Sequence, residues 1–102
     1  MRVIKRLPLA EFWEKWPAAR QPLDAWYQTT LLADWDHFAD VKSTFGQTDQ
    51  AVVGSAQTVC VFDIGGNKFR LIAFVCYRKA KVYVLRVLTH KEYDTDRWKK
   101  EL

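Results

Sequence analysis

Two hydrophobic periods divide the chain. Through residue 46 apolar side chains recur at helical spacing, and from residue 58 they alternate or run together as strands do. The opening Arg2-Val3-Ile4 reads as a short strand. Pro8 then stands where a first helical residue is favoured, because its missing N–H would be unpaired there in any case. Leu9, Phe12, Trp13 and Trp16 follow at helical spacing, and Pro17 ends or bends that helix. A second helix is predicted over about residues 18–33. Its Leu23, Trp26, Tyr27 and Leu31 form an apolar stripe, and Pro22 falls in its first turn, where proline is tolerated. Asp36 is placed to cap a third short helix that carries Phe38, Val41 and Phe45 and is closed by Gly46.

Residues 47–57 are polar and small, which predicts a loop or a ragged edge. The period then changes. Thr58–Ile64 is β-rich, Gly65-Gly66-Asn67 is a turn, and Lys68–Tyr77 is β-rich again, the strongest hairpin signal in the chain. Arg78-Lys79-Ala80 turns into a further strand over Lys81–Leu88. Thr89–Tyr93 leaves that strand, and Asp94–Leu102 is a charged tail, helical around Trp98. This order predicts one α+β domain over residues 1–102, with an N-terminal strand and helices packed on one face of a small antiparallel sheet. Such a sheet leaves its other face to water or a ligand, and function is sought there.

Composition narrows this picture. Five tryptophans, four tyrosines and six phenylalanines among 102 residues supply ample core. No apolar run approaches the ~18 residues of a membrane span, and no charged-then-apolar leader opens the chain, so a cytoplasmic protein without membrane contact is expected. Cys60 and Cys76 lie inside apolar runs with no CxxC and no histidine at ligand spacing, so they read as free thiols. The net charge of +4 is uneven: residues 1–52 hold six bases against seven acids, and residues 53–102 hold ten against five. A polyanion suits the second half, as does a merely solvated basic face.

No enzyme motif of high specificity is present. Gly65-Gly66 lacks the strand-to-helix context of a phosphate loop. His37 and His90 are not placed as a metal pair, and His37 reads as a surface or capping residue. Neither a metal nor a cofactor is expected. Lys68 and Arg70 share one face of the strand after the turn, since side chains repeat every two residues, and Arg86, Leu88 and His90 share a face along the next strand and its exit. Tyr93 follows His90 by three residues. Lys68, Arg70, His90 and Tyr93 can therefore converge at one end of the sheet. That set suffices for RNA cleavage without a metal. The cations stabilise phosphate charge, while His and Tyr exchange protons with the attacking 2′-hydroxyl and the leaving oxygen. The same residues also suit a solubilising face or packing. Arg86 joins the set only if the register puts Ile72 opposite it.

The stretch Val61-Phe62-Asp63-Ile64-Gly65-Gly66-Asn67-Lys68-Phe69-Arg70-Leu71-Ile72 resembles the central hairpin of the HigB toxins, ribosome-dependent mRNA interferases of type II toxin–antitoxin systems. Phe12-Trp13-Glu14-Lys15, Trp26-Tyr27, Trp35, Ala39-Asp40-Val41-Lys42 with Phe45-Gly46, and Thr89-His90-Lys91-Glu92-Tyr93-Asp94 are similar to that family too. Together they span about residues 1–95. The resemblance implies a RelE-like fold whose concave sheet face receives mRNA in the 30S A site. It also implies a helix-turn-helix antitoxin of the HigA type, held in a toxin–antitoxin hetero-oligomer. By the same resemblance Arg70 matches the arginine that RelE-type toxins place on the scissile phosphate. His90 matches a basic or acid–base position, and Tyr93 matches the C-terminal tyrosine. Val61 and Asp63 stand roughly where RelE has lysines, so the general base falls to His90 or Tyr93, with Lys68 offsetting the missing charge. Asn67, Lys42, Arg78 and Arg86 are the further residues expected on RNA. The competing readings are a non-catalytic RNA-binding module and a protein-interaction module.

Overall fold

The computed structural model describes residues 1–102. Its elements run β1 (Arg2–Ile4), α1 (Leu7–Lys15), a 3₁₀ turn (Pro17–Ala19), α2 (Arg20–Leu32), α3 (Phe38–Thr44), β2 (Asp49–Val52), β3 (Thr58–Ile64), β4 (Phe69–Cys76), β5 (Lys81–Thr89), α4 (His90–Asp94) and α5 (Arg97–Glu101). Pro8 and Pro17 both open helical turns. The third helix is capped one residue later than expected. His37 is its N-cap residue, and the Asp40 carboxylate accepts from the backbone N–H groups of Asp36 and His37 at 2.8 and 3.3 Å.

The five strands form one sheet in the order β1-β5-β4-β3-β2. Two of them add to the expected meander. β2 lies inside the segment expected to be a loop or a ragged edge and pairs antiparallel with β3. β1 pairs in parallel with β5, Arg2 beside Lys81 and Ile4 beside Tyr83, so the α+β sheet is mixed rather than wholly antiparallel. The β3–β4 hairpin sets Asp63 opposite Arg70 and Ile64 opposite Phe69. Between β4 and β5 the register slips: Ile72 faces Arg86 but Ala73 faces Val84. Leu85 is thus the extra residue of a β-bulge.

Alternation along these strands sorts the sheet into two faces. On one, Phe62, Phe69, Leu71, Ala73, Val82 and Val84 meet Leu9, Leu23, Trp26 and Val41 of the helices. Phe62 is the hub of an aromatic cluster, with Trp26, Trp35 and Phe45 rings at 5.3, 6.3 and 5.5 Å. Cys60 lies on this face. Burial pushes its thiol up to about 11, and a hydrogen bond with Tyr77 pulls the other way; the Tyr77 hydroxyl is itself raised, chiefly by burial.

The opposite face is not left open throughout. Val59, Val61, Ile72 and Leu88 lie beneath Trp98 of α5, which is 2% exposed. The charged tail is therefore a packed element. It closes on the β2–β3 loop through a bond from Gly54 N–H to the Lys99 carbonyl at 2.7 Å. A Cβ at Gly54 would stand 3.2 Å from the Lys99 and Lys100 carbonyl oxygens, closer than most side chains tolerate. No helix is long and apolar enough to cross a membrane.

Candidate active site

A single arginine organises the second sheet face. The β3–β4 turn, Gly65 to Lys68, takes positive φ at Gly65, Gly66 and Asn67 (66°, 61° and 81°). Glycine adopts that region without cost and asparagine more readily than most residues. The turn aims the Asn67 side-chain oxygen back at Arg70, whose Nη2 donates to it. Nη1 of Arg70 donates to Asp63 Oδ1 at 3.1 Å and to the Phe69 carbonyl at 3.2 Å. The two charged side chains are only 13% (Arg70) and 21% (Asp63) exposed. A guanidinium has five N–H donors. With three engaged, one on Nε and one on Nη2 remain.

The guanidinium also sits over the Tyr93 ring, 5.1 Å from its centroid. Tyr93 in turn stacks on Trp98, with centroids 5.4 Å apart and planes 18° from parallel, and Trp98 Nε1 donates to the Tyr93 carbonyl at 3.1 Å. The layers Arg70, Tyr93 and Trp98 therefore rest on the small apolar core beneath α5. Cation–π contact adds to the fixing.

The helix that carries Tyr93 begins where it does because Thr89 and Glu92 form a capping box: Glu92 N–H donates to Thr89 Oγ1 at 3.2 Å, and Thr89 N–H donates to Glu92 Oε1 at 3.0 Å. His90 N–H donates to the Lys68 carbonyl at 3.1 Å, which joins the helix start to the hairpin turn. His90 and Tyr93 lie three residues apart on α4, and so on one side of it. The His90 imidazole, half exposed, pairs through Nε2 with Asp94 at 3.3 Å.

The structure thus brings Arg70, Tyr93, Asn67 and the backbone of His90 and Lys68 together. Lys68 belongs to the exposed turn rather than to β4, so strand alternation does not set its direction. Arg86 lies opposite Ile72, on the same face as Arg70. It donates to the Leu85 carbonyl at 2.8 Å and lines a cleft of about 460 Å³ with Glu92, Arg97 and Trp98. Lys42 and Arg78 are not part of the cluster. Lys42, on α3, donates to the Thr48 carbonyl at 2.9 Å. Arg78 sits in the β4–β5 turn, at the other end of β4 and roughly 26 Å from Arg70 along the strand direction. Asp63 and Trp98, which the sequence alone leaves outside the site, are the direct supports of Arg70 and Tyr93. The hairpin register is the available signal for Asp63, and the one aromatic residue in a charged tail is the signal for Trp98. No group of three or more His, Cys, Asp or Glu side chains is placed to hold a metal ion.

Residues 19–96 match the family HigB_toxin, described as the RelE-like toxic component of a toxin-antitoxin system. The chain is 31% identical over 94 residues to the mRNA interferase toxin HigB of Escherichia coli (strain K12), covering 92% of this chain and 88% of the relative. The mRNA interferase HigB of Shigella flexneri gives the same identity and coverage. That of Escherichia coli O6:H1 is 26% identical over 94 residues, 92% of this chain and 89% of its own.

Proposed function

The chain belongs to the HigB family of RelE-like toxic components of toxin–antitoxin systems, and from that premise we propose that it is an endoribonuclease, with residues 1–102 as its toxin domain, that cuts mRNA on the translating ribosome and so inhibits translation. Its partners are mRNA in the 30S A site and an antitoxin of the HigA type with a helix-turn-helix domain, which holds it in a hetero-oligomer. Its place is the cytoplasm, and it works without a metal or cofactor.

The observation that carries this reading is the immobilised Arg70. A guanidinium fixed on three sides by Asp63, Asn67 and the Phe69 carbonyl, and laid on Tyr93, is preorganised to meet charge that develops on a phosphate. Its two remaining N–H donors take non-bridging oxygens of the scissile group. The 2′-hydroxyl attacks phosphorus, its proton passes to a base, and the 5′-oxygen leaves with a proton from an acid. His90, half exposed one helical turn from Tyr93, and Tyr93 itself divide these two transfers. Lys68 adds charge beside the phosphate, and Arg86 holds RNA in the adjoining cleft. Lys42 and Arg78 contribute RNA contacts outside the cluster, and Asn67 acts through Arg70, which it positions.

Mapping of new 5′ ends on mRNA bound to programmed ribosomes tests the proposal. The wild-type chain is expected to cut. His90→Gln, which keeps polar reach but exchanges no proton at neutral pH, is expected to lower the single-turnover rate by roughly 10²–10⁴ and to remove one limb of the pH–rate profile. Tyr93→Phe removes only the hydroxyl and separates proton transfer from support of Arg70. Indifference to both substitutions refutes the acid–base assignment and moves it to Asp63, with Lys68 as the charge-stabilising group. RNA binding with no new 5′ ends refutes the nuclease reading itself.

A further inference from the structure

The second sheet face has a part that the Arg70 cluster does not use. On β4, alternation carries Arg70, Ile72, Phe74 and Cys76 to the same side, since the bulge falls on β5 and leaves β4 regular. Ile72 is covered by α5, but Phe74 is not. It pairs across the ladder with Tyr83, their rings 6.3 Å apart and 37° from parallel. Both side chains are half-buried at the floor of an open depression of about 350 Å³. Its polar rim consists of Lys5, Lys79 and Gln57, with no acidic residue in the lining. Arg78 stands in the same turn as Lys79, and Lys81 lies opposite Cys76 on this face.

We propose that Phe74 and Tyr83 form a stacking platform for unpaired bases of the mRNA, a subsite separate from the Arg70 cluster that takes nucleotides flanking the cut. The inference rests on the nuclease reading above. Three observations favour RNA over a protein segment as the occupant. The only charged groups on the rim are the cations Lys5 and Lys79, as suits a phosphate backbone running beside bases stacked on aromatic rings. The depression has room for a base or two, whereas a stable protein interface buries about 800 Å² per partner. The platform is also continuous with the Arg70 side of the sheet. Leu85 lines both this depression and a shallow one that Arg86 shares, and Arg86 in turn lines the cleft beside Trp98 and Arg97. A single strand passing along β5, around the tail helix, meets Arg97, Arg86 and then the two rings. Glu92 and Glu101 lie on the Arg97 side of that path and Glu11 on the α1 side, so its cationic end is at Lys5 and Lys79.

The test uses the full chain on ribosomes programmed with mRNA that carries 4-thiouridine at single positions in and around the A-site codon. Irradiation is expected to cross-link a flanking nucleotide to the peptides containing Phe74 or Tyr83. Phe74→Leu with Tyr83→Leu, which keeps apolar cover, should remove that cross-link and weaken half-saturation by about 5- to 150-fold per stacked base, with the saturating cleavage rate unchanged. Phe74→Tyr with Tyr83→Trp should restore both, which separates stacking from folding. Lys5→Gln with Lys79→Gln, on the surface, should lower the salt slope by about 1.4, at ~0.7 per contact to a single strand. Wild-type kinetics in the Leu pair and an absent cross-link, while the wild-type chain still cuts, overturn the platform but leave the nuclease reading intact. Loss of antitoxin co-purification in the Leu pair with cleavage unaffected also overturns it, and assigns the rings to a protein partner. If the wild-type chain does not cut but the cross-link forms, the platform stands and the nuclease reading falls.

Discussion

Arginine at position 70 is a question of geometry rather than of charge, and Arg70→Lys separates the two. Lysine keeps one positive charge, which can remain near Asp63, but its compact ammonium cannot span Asp63, Asn67 and the Phe69 carbonyl at once or lie flat on Tyr93. A hydrogen bond to a charged group contributes about 1.5–3 kcal/mol, and a stranded partner adds its own desolvation cost. With the pair at 13% and 21% exposure, Arg70→Ala is expected to lose about 2–4 kcal/mol, a fall in Tm of roughly 10–25 °C for a chain this size. Arg70→Lys retains the ion pair and should lose about half of that. Catalysis should not follow stability. Removal of one preorganised donor typically costs 10²–10³ in rate, and that loss is expected for lysine almost as fully as for alanine. Thermal melts combined with single-turnover cleavage on programmed ribosomes give both readings. An Arg70→Lys rate within about fivefold of wild type, under about 1 kcal/mol in barrier, would refute the argument, because charge alone would then suffice.

Three further outcomes follow from the same structure. Asn67→Gly preserves the positive φ of 81° but removes the acceptor for Arg70, so the Tm should move by only a few degrees while cleavage falls about tenfold, a loss of ~1.4 kcal/mol; Asn67→Ala should add a stability loss of about 1 kcal/mol from backbone strain. Trp98→Ala empties the small core beneath α5 and removes the support under Tyr93, so chemical denaturation should show about 3–5 kcal/mol lost, and a loss below about 1 kcal/mol would mean that the tail is not packed. The Cys60 thiol, raised to about 11 by burial, and the Tyr77 hydroxyl, raised as well, stay neutral in the fold at pH values where the unfolded chain ionises. The Cys60 contribution to stability is complete below its unfolded pKa near 9 and is lost as pH climbs toward 11, and that of Tyr77 is complete below its unfolded pKa near 10 and is lost at higher pH still. Melts across that range should therefore show a falling Tm that Tyr77→Phe and Cys60→Ala flatten.

The helices and the β3, β4 and β5 strands were legible because each has a clear period and a strong punctuation: Pro8, Pro17, the Gly65-Gly66-Asn67 turn, and the basic turn at Arg78. β2 was not, because Asp49-Gln50-Ala51-Val52 is a mostly exposed edge strand with little apolar content, and its identity comes from β3 beside it. The parallel partnership of β1 with β5 joins positions about eighty residues apart, a choice made by tertiary packing and not by local sequence. Arg70 and Tyr93 were nameable from the hairpin and from family resemblance, but their mutual contact depends on Trp98. Tyr93 and Trp98 are five residues apart, not a helical spacing; the left-handed residue Asp96 (φ 58°) between α4 and α5 is what stacks them. The third helix shows the limit of capping rules. Asp36 has the favoured side chain, yet Asp40 reaches back to do the work from inside the helix.

The bulge at Leu85 makes β5 a strand with a change of parity. Before it, odd-numbered residues such as Tyr83 point to the same side as Arg70 and even-numbered Val82 and Val84 to the core; after it, even-numbered Arg86 and Leu88 take the outer side and Val87 the inner. Leu85 is a one-residue spacer, so its removal should straighten the strand without turning any neighbour over. Loss of Tyr83 with the bulge kept would instead shift the phase of the strand behind it, turning Lys81 toward the core and Val82 outward. The strand therefore has one position where its length is free to change by one, and that position adjoins the arginine of the cleft. A shortened β5 that lacks Leu85 would keep the same core and the same outward residues while drawing Arg86 about 3.3 Å nearer to Tyr83.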